Sequence, residues 1–115
     1  MENHADSALA AALELRTSFR ALRDRWLTLG YAGMADVRLR VGLACGPVTR
    51  VEIGYQTSRL TVIGAPVNGA SNACNAGPRD RDTIIVEERF RARCCQDHKV
   101  TEVRHSGRDN LFELV

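Results

Sequence analysis

From Ala8 to Leu29 apolar residues return at alternating steps of four and three: Ala8, Ala12, Leu15, Phe19, Leu22, Trp26 and Leu29. An α-helix turns roughly 100° per residue, so only a helix gathers these positions into one continuous stripe. A chain that opens on a helix this long must find a surface to lay the stripe against. Arg16, Arg20, Arg23 and Asp24 fall on the opposite side and read as a water-facing flank, while Gly30 stands where such a helix needs a terminating residue.

The period then changes from three-and-four to two. Val37, Leu39, Val41 and Leu43 interleave with Arg38, Arg40 and Gly42, which is the alternation of a strand with one buried face. Gly46-Pro47 breaks the run, and Val51 and Ile53 then alternate with Arg50 and Glu52, so the two stretches predict an antiparallel hairpin turning at Gly-Pro. Leu60, Val62 and Ile63 predict a further short strand. Pro66 suits a first helical turn, Val67, Ala70 and Cys74 share a face behind it, and Gly77-Pro78 closes that helix. Thr83 to Val86 reads as a buried strand, Glu87-Glu88 as the start of one more helical turn, and Leu111 to Val115 as a last strand. The order is that of the mixed α+β class and not of a regular βαβ array.

Composition narrows the function classes. With 115 residues, 44% of them hydrophobic and 26% charged, residues 1–115 are expected to form one globular domain or part of one. The net charge of +2 is scattered, and the only basic groupings, Arg16, Arg20 and Arg23 with Arg38 and Arg40, make no phosphate-binding block, so no nucleic-acid partner is expected. Glu14 and Arg16 interrupt the first apolar stretch, so neither a signal peptide nor a membrane segment is expected, and the chain reads as cytoplasmic. Cys45, Cys74, Cys94 and Cys95 contain no CxxC pair and read as reduced thiols. Cys94, Cys95 and His98 lack a fourth ligand for zinc, and Asp36, Asp80 and Asp82 read as solvated turn residues, so no metal-ligating set is assigned to this chain.

Two segments carry a resemblance. Val37-Arg38-Leu39-Arg40-Val41-Gly42-Leu43-Ala44-Cys45-Gly46-Pro47-Val48 is similar to a stretch in which an alternating strand ends in a glycine turn before Gly-Pro-Val. After it, Leu60-Thr61-Val62-Ile63-Gly64-Ala65-Pro66-Val67-Asn68-Gly69-Ala70-Ser71-Asn72 follows a pattern of strand, Gly, two residues, Val-Asn, one residue, Ala-Ser-Arg. Together, in this order and spacing, they resemble the C-terminal half of a class III adenylate/guanylate cyclase catalytic domain. The helix Ala11 to Gly30 and the segment Thr83 to Phe90 extend the resemblance over nearly the whole chain.

The resemblance implies a partial ferredoxin-like palm, an antiparallel sheet with helices on one face. It implies the reaction of ATP to cyclic AMP and pyrophosphate, in which a ribose hydroxyl attacks the α-phosphate, helped by magnesium or manganese in a completed family site. It sets the two metal-binding aspartates on strands that precede the position of Met1, so the chain is expected to be inactive alone. Asn68 matches the asparagine that orients the ribose; the other reading of Asn68 is a hydrogen bond to the helix start. Asn72 stands where the family has an arginine that stabilises transition-state charge, and an amide brings no charge there. Arg79 or Arg81 would compensate only by reaching back along the chain. Thr61 matches a position that selects the purine base, and Arg104 a lysine that contacts the triphosphate. The implied partners are ATP or another nucleoside triphosphate and either a homodimer or a cyclase-domain partner. The alternative is a non-catalytic cyclase-homology module for dimerisation or regulation.

Overall fold

A computed structural model describes residues 3–54, 59–95, 98–103 and 110–114. Helix α1 (His4–Thr28) begins at Asn3, whose side-chain oxygen accepts from the backbone N–H groups of Ala5 and Asp6, the usual role of an N-cap asparagine. It ends at Leu29, with Gly30 in the left-handed region at φ +98° as its position requires. A short 3-10 turn (Ala32–Asp36) leads to strand β1 (Arg40–Leu43). Then come β2 (Thr49–Ile53), β3 (Arg59–Ile63), α2 (Ala65–Ala76), β4 (Thr83–Glu87), α3 (Glu88–Arg93), β5 (Val100–Val103) and β6 (Leu111–Leu114).

The expected hairpin between the Val37–Leu43 and Val51–Ile53 stretches does not form. β1 instead pairs in parallel with β4, Arg40 opposite Thr83 and Leu43 opposite Val86, while β2 pairs antiparallel with β3. The main sheet runs β1-β4-β6-β5 and is mixed, with β4–β6 and β5–β6 antiparallel. The reason lies in β4. Thr83, Ile84, Ile85 and Val86 are all buried, so this strand is the one best suited to the sheet interior. The connection from β1 through the β2–β3 ribbon and α2 is long enough to return the chain in the same direction.

Consecutive apolar residues on β4 also overturn the expectation of helices on one face. Ile84 and Val86 pack with Ala5, Leu9 and Ala12 of α1, Phe90 of α3 and Leu114 of β6. Ile85 points the other way, onto Ala73 of α2 and Leu111 of β6. Helices therefore cover both faces. The architecture is α+β with a mixed sheet.

Gly42 sets the closeness of α2 to β1. A Cβ at that position would overlap the Ala70 carbonyl oxygen and come within 2.6 Å of the Cys74 backbone nitrogen, so only glycine lets the helix backbone lie so near the strand. Among the described residues no helix is long and apolar enough to cross a membrane.

The basic flank of α1 departs from its expected solvated role. Arg23 donates from Nη1 to Asp82 Oδ1 and from Nη2 to Oδ2, both at 2.8 Å, and Arg20 Nε donates to Oδ2 at 3.3 Å. The Asp82 side chain, only 2% exposed, also accepts from the Leu39 backbone N–H at 2.9 Å. Asp82 is thus no solvated turn residue: it ties α1, the entry to β1 and the entry to β4 together. Asp80 remains an exposed turn residue, and Asp36 lies exposed at the end of the 3-10 turn.

Candidate functional site

Helix α2 starts at Gly64 with Pro66 in its first turn and no side chain capping its N-terminus. Asn68 therefore does not serve as the helix-start partner that the alternative reading required. Asn68 and Asn72 are four residues apart, which stacks them on one face of α2. Both are exposed, and neither side chain makes a hydrogen bond among the described residues.

That face forms one wall of an open cleft of about 600 Å³. The other wall is the junction of β4 and α3, with Glu87, Glu88, Arg89 and Ala92, and Cys45 after β1 closes the floor. Tertiary packing makes this meeting possible: α2 lies on β1 and β4, so the end of β4 and the start of α3 come up beside the N-terminal half of α2. Gly69 leaves room for the Glu87 carboxylate, whose oxygens lie 2.7 Å from where a Cβ would stand. Glu88 accepts a hydrogen bond from Asn110 Nδ2 at 3.4 Å.

Arg89 was not singled out by sequence reasoning. Its guanidinium stands over the Gly46-Pro47 turn, with Nη1 3.5 Å from where a Cβ on Gly46 would be, and it makes no ion pair among the described residues. The cleft therefore contains a cation although Asn72 supplies none. Arg81, one of the two residues expected to compensate, is occupied elsewhere: it grips Glu113 through Nε at 2.9 Å and Nη2 at 2.8 Å. That contact holds its guanidinium above the ordinary arginine range. Arg79 is exposed in the turn after α2 and does not border the cleft.

Thr61 sits in the middle of β3, opposite Val51 on the two-stranded ribbon, and is not part of the cleft lining. Arg104 lies outside the described residues. The structure thus brings two of the four expected site residues together, adds Arg89, Glu87 and Glu88, and sets Thr61 on a separate element.

The donor set of the cleft does not fit the divalent-ion pair that the resemblance implies. Its carboxylates, Glu87 and Glu88, are adjacent in the chain, one against α2 and the other hydrogen-bonded to Asn110. Among the described residues no group of three or more His, Cys, Asp or Glu side chains converges to hold a metal ion. Cys94 and His98 border a small cavity of about 70 Å³ between α1, α3 and β6. Burial, reinforced by the nearby Asp6 carboxylate, pushes the Cys94 thiol above its ordinary range.

What the cleft offers is two amides that can both donate and accept, one guanidinium and two carboxylates around an open volume. Such a set can hydrogen-bond sugar hydroxyls, with the positive charge concentrated at Arg89 and outnumbered by the two carboxylates. No protein-family profile, no curated protein and no solved structure matches the chain.

Proposed function

We infer that this chain is a C-terminal module of a class III nucleotidyl cyclase domain. In this reading it is degenerate at the charge-stabilising position of α2 and inactive alone. The observation that carries the reading is the alignment of Asn68 and Asn72 on one face of α2, open to a cleft that also holds Arg89. Asn68 then hydrogen-bonds the ribose through its amide, and Arg89 supplies the positive charge that Asn72 lacks. Preference for ATP rests on Thr61, which would have to approach the nucleotide from the ribbon. Carboxylates for divalent ions are expected from polypeptide outside the described residues, and no catalytic step is assigned to a metal.

The test is complementation. The chain, mixed with a separately made N-terminal half of a class III domain, ATP and manganese, is expected to produce cyclic AMP, whereas the chain alone produces none. Asn72→Arg is expected to raise the complemented rate by up to about a hundredfold, and Arg89→Ala to lower it. Cyclic AMP from the unaided chain, or a complemented rate indifferent to both substitutions, would overturn the assignment.

The exposed apolar residues of α1 favour a second reading, a non-catalytic cyclase-homology module that binds a partner. Association with a full-length cyclase domain without nucleotide, followed by light scattering, is its expected signature, and failure to associate removes it.

A further inference from the structure

Helix α3 borders two separate spaces. Arg89 and Ala92 face the open cleft, whereas Phe90, Arg91 and Cys94 border the cavity of about 70 Å³. The cavity exists because the core does not close there. Leu9 of α1, Val86 of β4, Phe90 of α3, Val100 of β5 and Leu114 of β6 approach from five elements and leave a gap among them. Protein interiors pack to crystal-like density with few voids larger than a water molecule, so a gap of this size is room for an occupant.

The polar groups of the lining are Arg91, Cys94 and His98, all from one short stretch of chain. Arg91 is exposed, stacks its guanidinium carbon 4.6 Å from the centroid of the Phe112 ring, and makes no ion pair among the described residues. Stacking fixes the plane of a guanidinium without using its N–H edge, the fork that a carboxylate takes up in two parallel hydrogen bonds. His98, half-buried, adds an imidazole able to donate a further hydrogen bond. The Cys94 thiol brings no charge, since it donates to the Phe90 carbonyl oxygen at 3.6 Å and burial keeps it protonated. Asp6, the carboxylate that acts on this thiol, is itself engaged: it accepts from the Cys95 N–H at 3.0 Å and lies in the first turn of α1, where the helix N-terminus offsets its charge.

An apolar floor beside a cation selects a ligand with a small apolar end and an anionic head. A dry cavity of about 150 Å³ takes up benzene, roughly 25 Å³ per carbon, so about 70 Å³ takes about three carbons. We propose that this cavity binds a short-chain monocarboxylate, with two or three alkyl carbons among Leu9, Phe90 and Leu114 and the carboxylate held by Arg91 and His98. An inorganic anion would leave the apolar floor uncovered, and a plain hydrocarbon would make no use of the guanidinium. The proposal uses neither Asn68 nor Arg89 and no nucleotide chemistry.

Titration of the full chain with sodium acetate, propionate, butyrate and hexanoate at constant ionic strength, followed by backbone amide NMR shifts, tests it. A ligand this small binds weakly, and butyrate is expected to saturate with a Kd on the order of 1–10 mM. Each methylene buried is worth about fourfold in affinity, so Kd should fall by about that factor from acetate to propionate and again to butyrate, with hexanoate no tighter than butyrate. 1-Butanol, which keeps the alkyl end but not the charge, should bind at least about tenfold more weakly than butyrate, and Arg91→Ala should weaken butyrate by about fivefold or more. Val100→Phe fills the space and should abolish binding; if that variant does not fold, Arg91→Ala carries the test, because its side chain is exposed. Shifts that do not saturate by about 100 mM overturn the proposal, as do butanol binding as tightly as butyrate, an affinity that ignores chain length, an unchanged Kd in Arg91→Ala, or binding retained by folded Val100→Phe. Cyclic AMP production plays no part in these outcomes, so this site and the complementation assay can fail separately.

Discussion

Asp82 is the residue whose loss the structure weighs most heavily. Replacing it with alanine leaves the Arg23 guanidinium, only 15% exposed, without its counter-ion, and leaves the Leu39 N–H without an acceptor. Removing one partner of a buried ion pair costs about 3–5 kcal/mol, and an orphaned buried N–H about 1–3 kcal/mol. The two costs overlap, because Arg23 also donates to the Val37 carbonyl and can keep that bond. Arg20, 55% exposed, adds little. The expected loss for Asp82→Ala is about 3–4 kcal/mol, a large share of the roughly 5–15 kcal/mol available to a domain. Urea unfolding followed by Trp26 fluorescence, at one fixed protein concentration, measures it. Arg23→Ala/Asp82→Ala is expected to cost clearly less than the two single losses added together. A single variant within 1 kcal/mol of wild type, or strict additivity, would refute the argument.

The same contact predicts an acid signature. The hydrogen bond from Arg23, ahead of that from the Leu39 N–H, holds the Asp82 carboxyl far below its ordinary value of 3.8. The folded state therefore binds fewer protons than the unfolded one in acid, so this stabilisation is complete above about pH 4 and drains away as pH falls toward the depressed value. Wild type should lose stability below pH 4 more steeply than Asp82→Ala; parallel curves would contradict the assignment. Gly42→Ala must push α2 backbone off β1 and is expected to cost about 2–3 kcal/mol, whereas Gly69→Ala meets only the movable end of Glu87 and should cost under about 1 kcal/mol. The reverse order in thermal melts would show that the α2–β1 approach is not as close as described. Exposed Cys95 should be alkylated by iodoacetamide at pH 8 at least about tenfold faster than Cys94, whose thiol is half-buried and raised; equal rates by peptide mass mapping would count against it.

Local pattern alone determined most element types. Helix α1, its end at Gly30, the strand character of residues 40–43, 49–53 and 59–63, the α2 segment with Pro66 in its first turn and the buried run on β4 all follow from periodicity, caps and breakers, which act over a few residues. β5 and the 3-10 turn gave no such signal: Val100 to Val103 is too short, and Ala32 to Asp36 has no apolar rhythm. Asn68 and Asn72 were legible through their pattern, and their common helical face follows from spacing.

Pairing and partnership were decided only in three dimensions. Alternation says that a strand has two faces but not which strand lies beside it, and the buried run on β4 drew β1 away from the expected hairpin and required helices on both faces. Asp82 looks like any turn aspartate until Arg23 arrives from a distant helix. Arg89 joined the cleft for the same reason, since the folding of α2 onto β1 and β4 brings the start of α3 beside Asn68 and Asn72. Short-range conformational preference is written residue by residue, whereas desolvation and charge pairing depend on which segments finally meet.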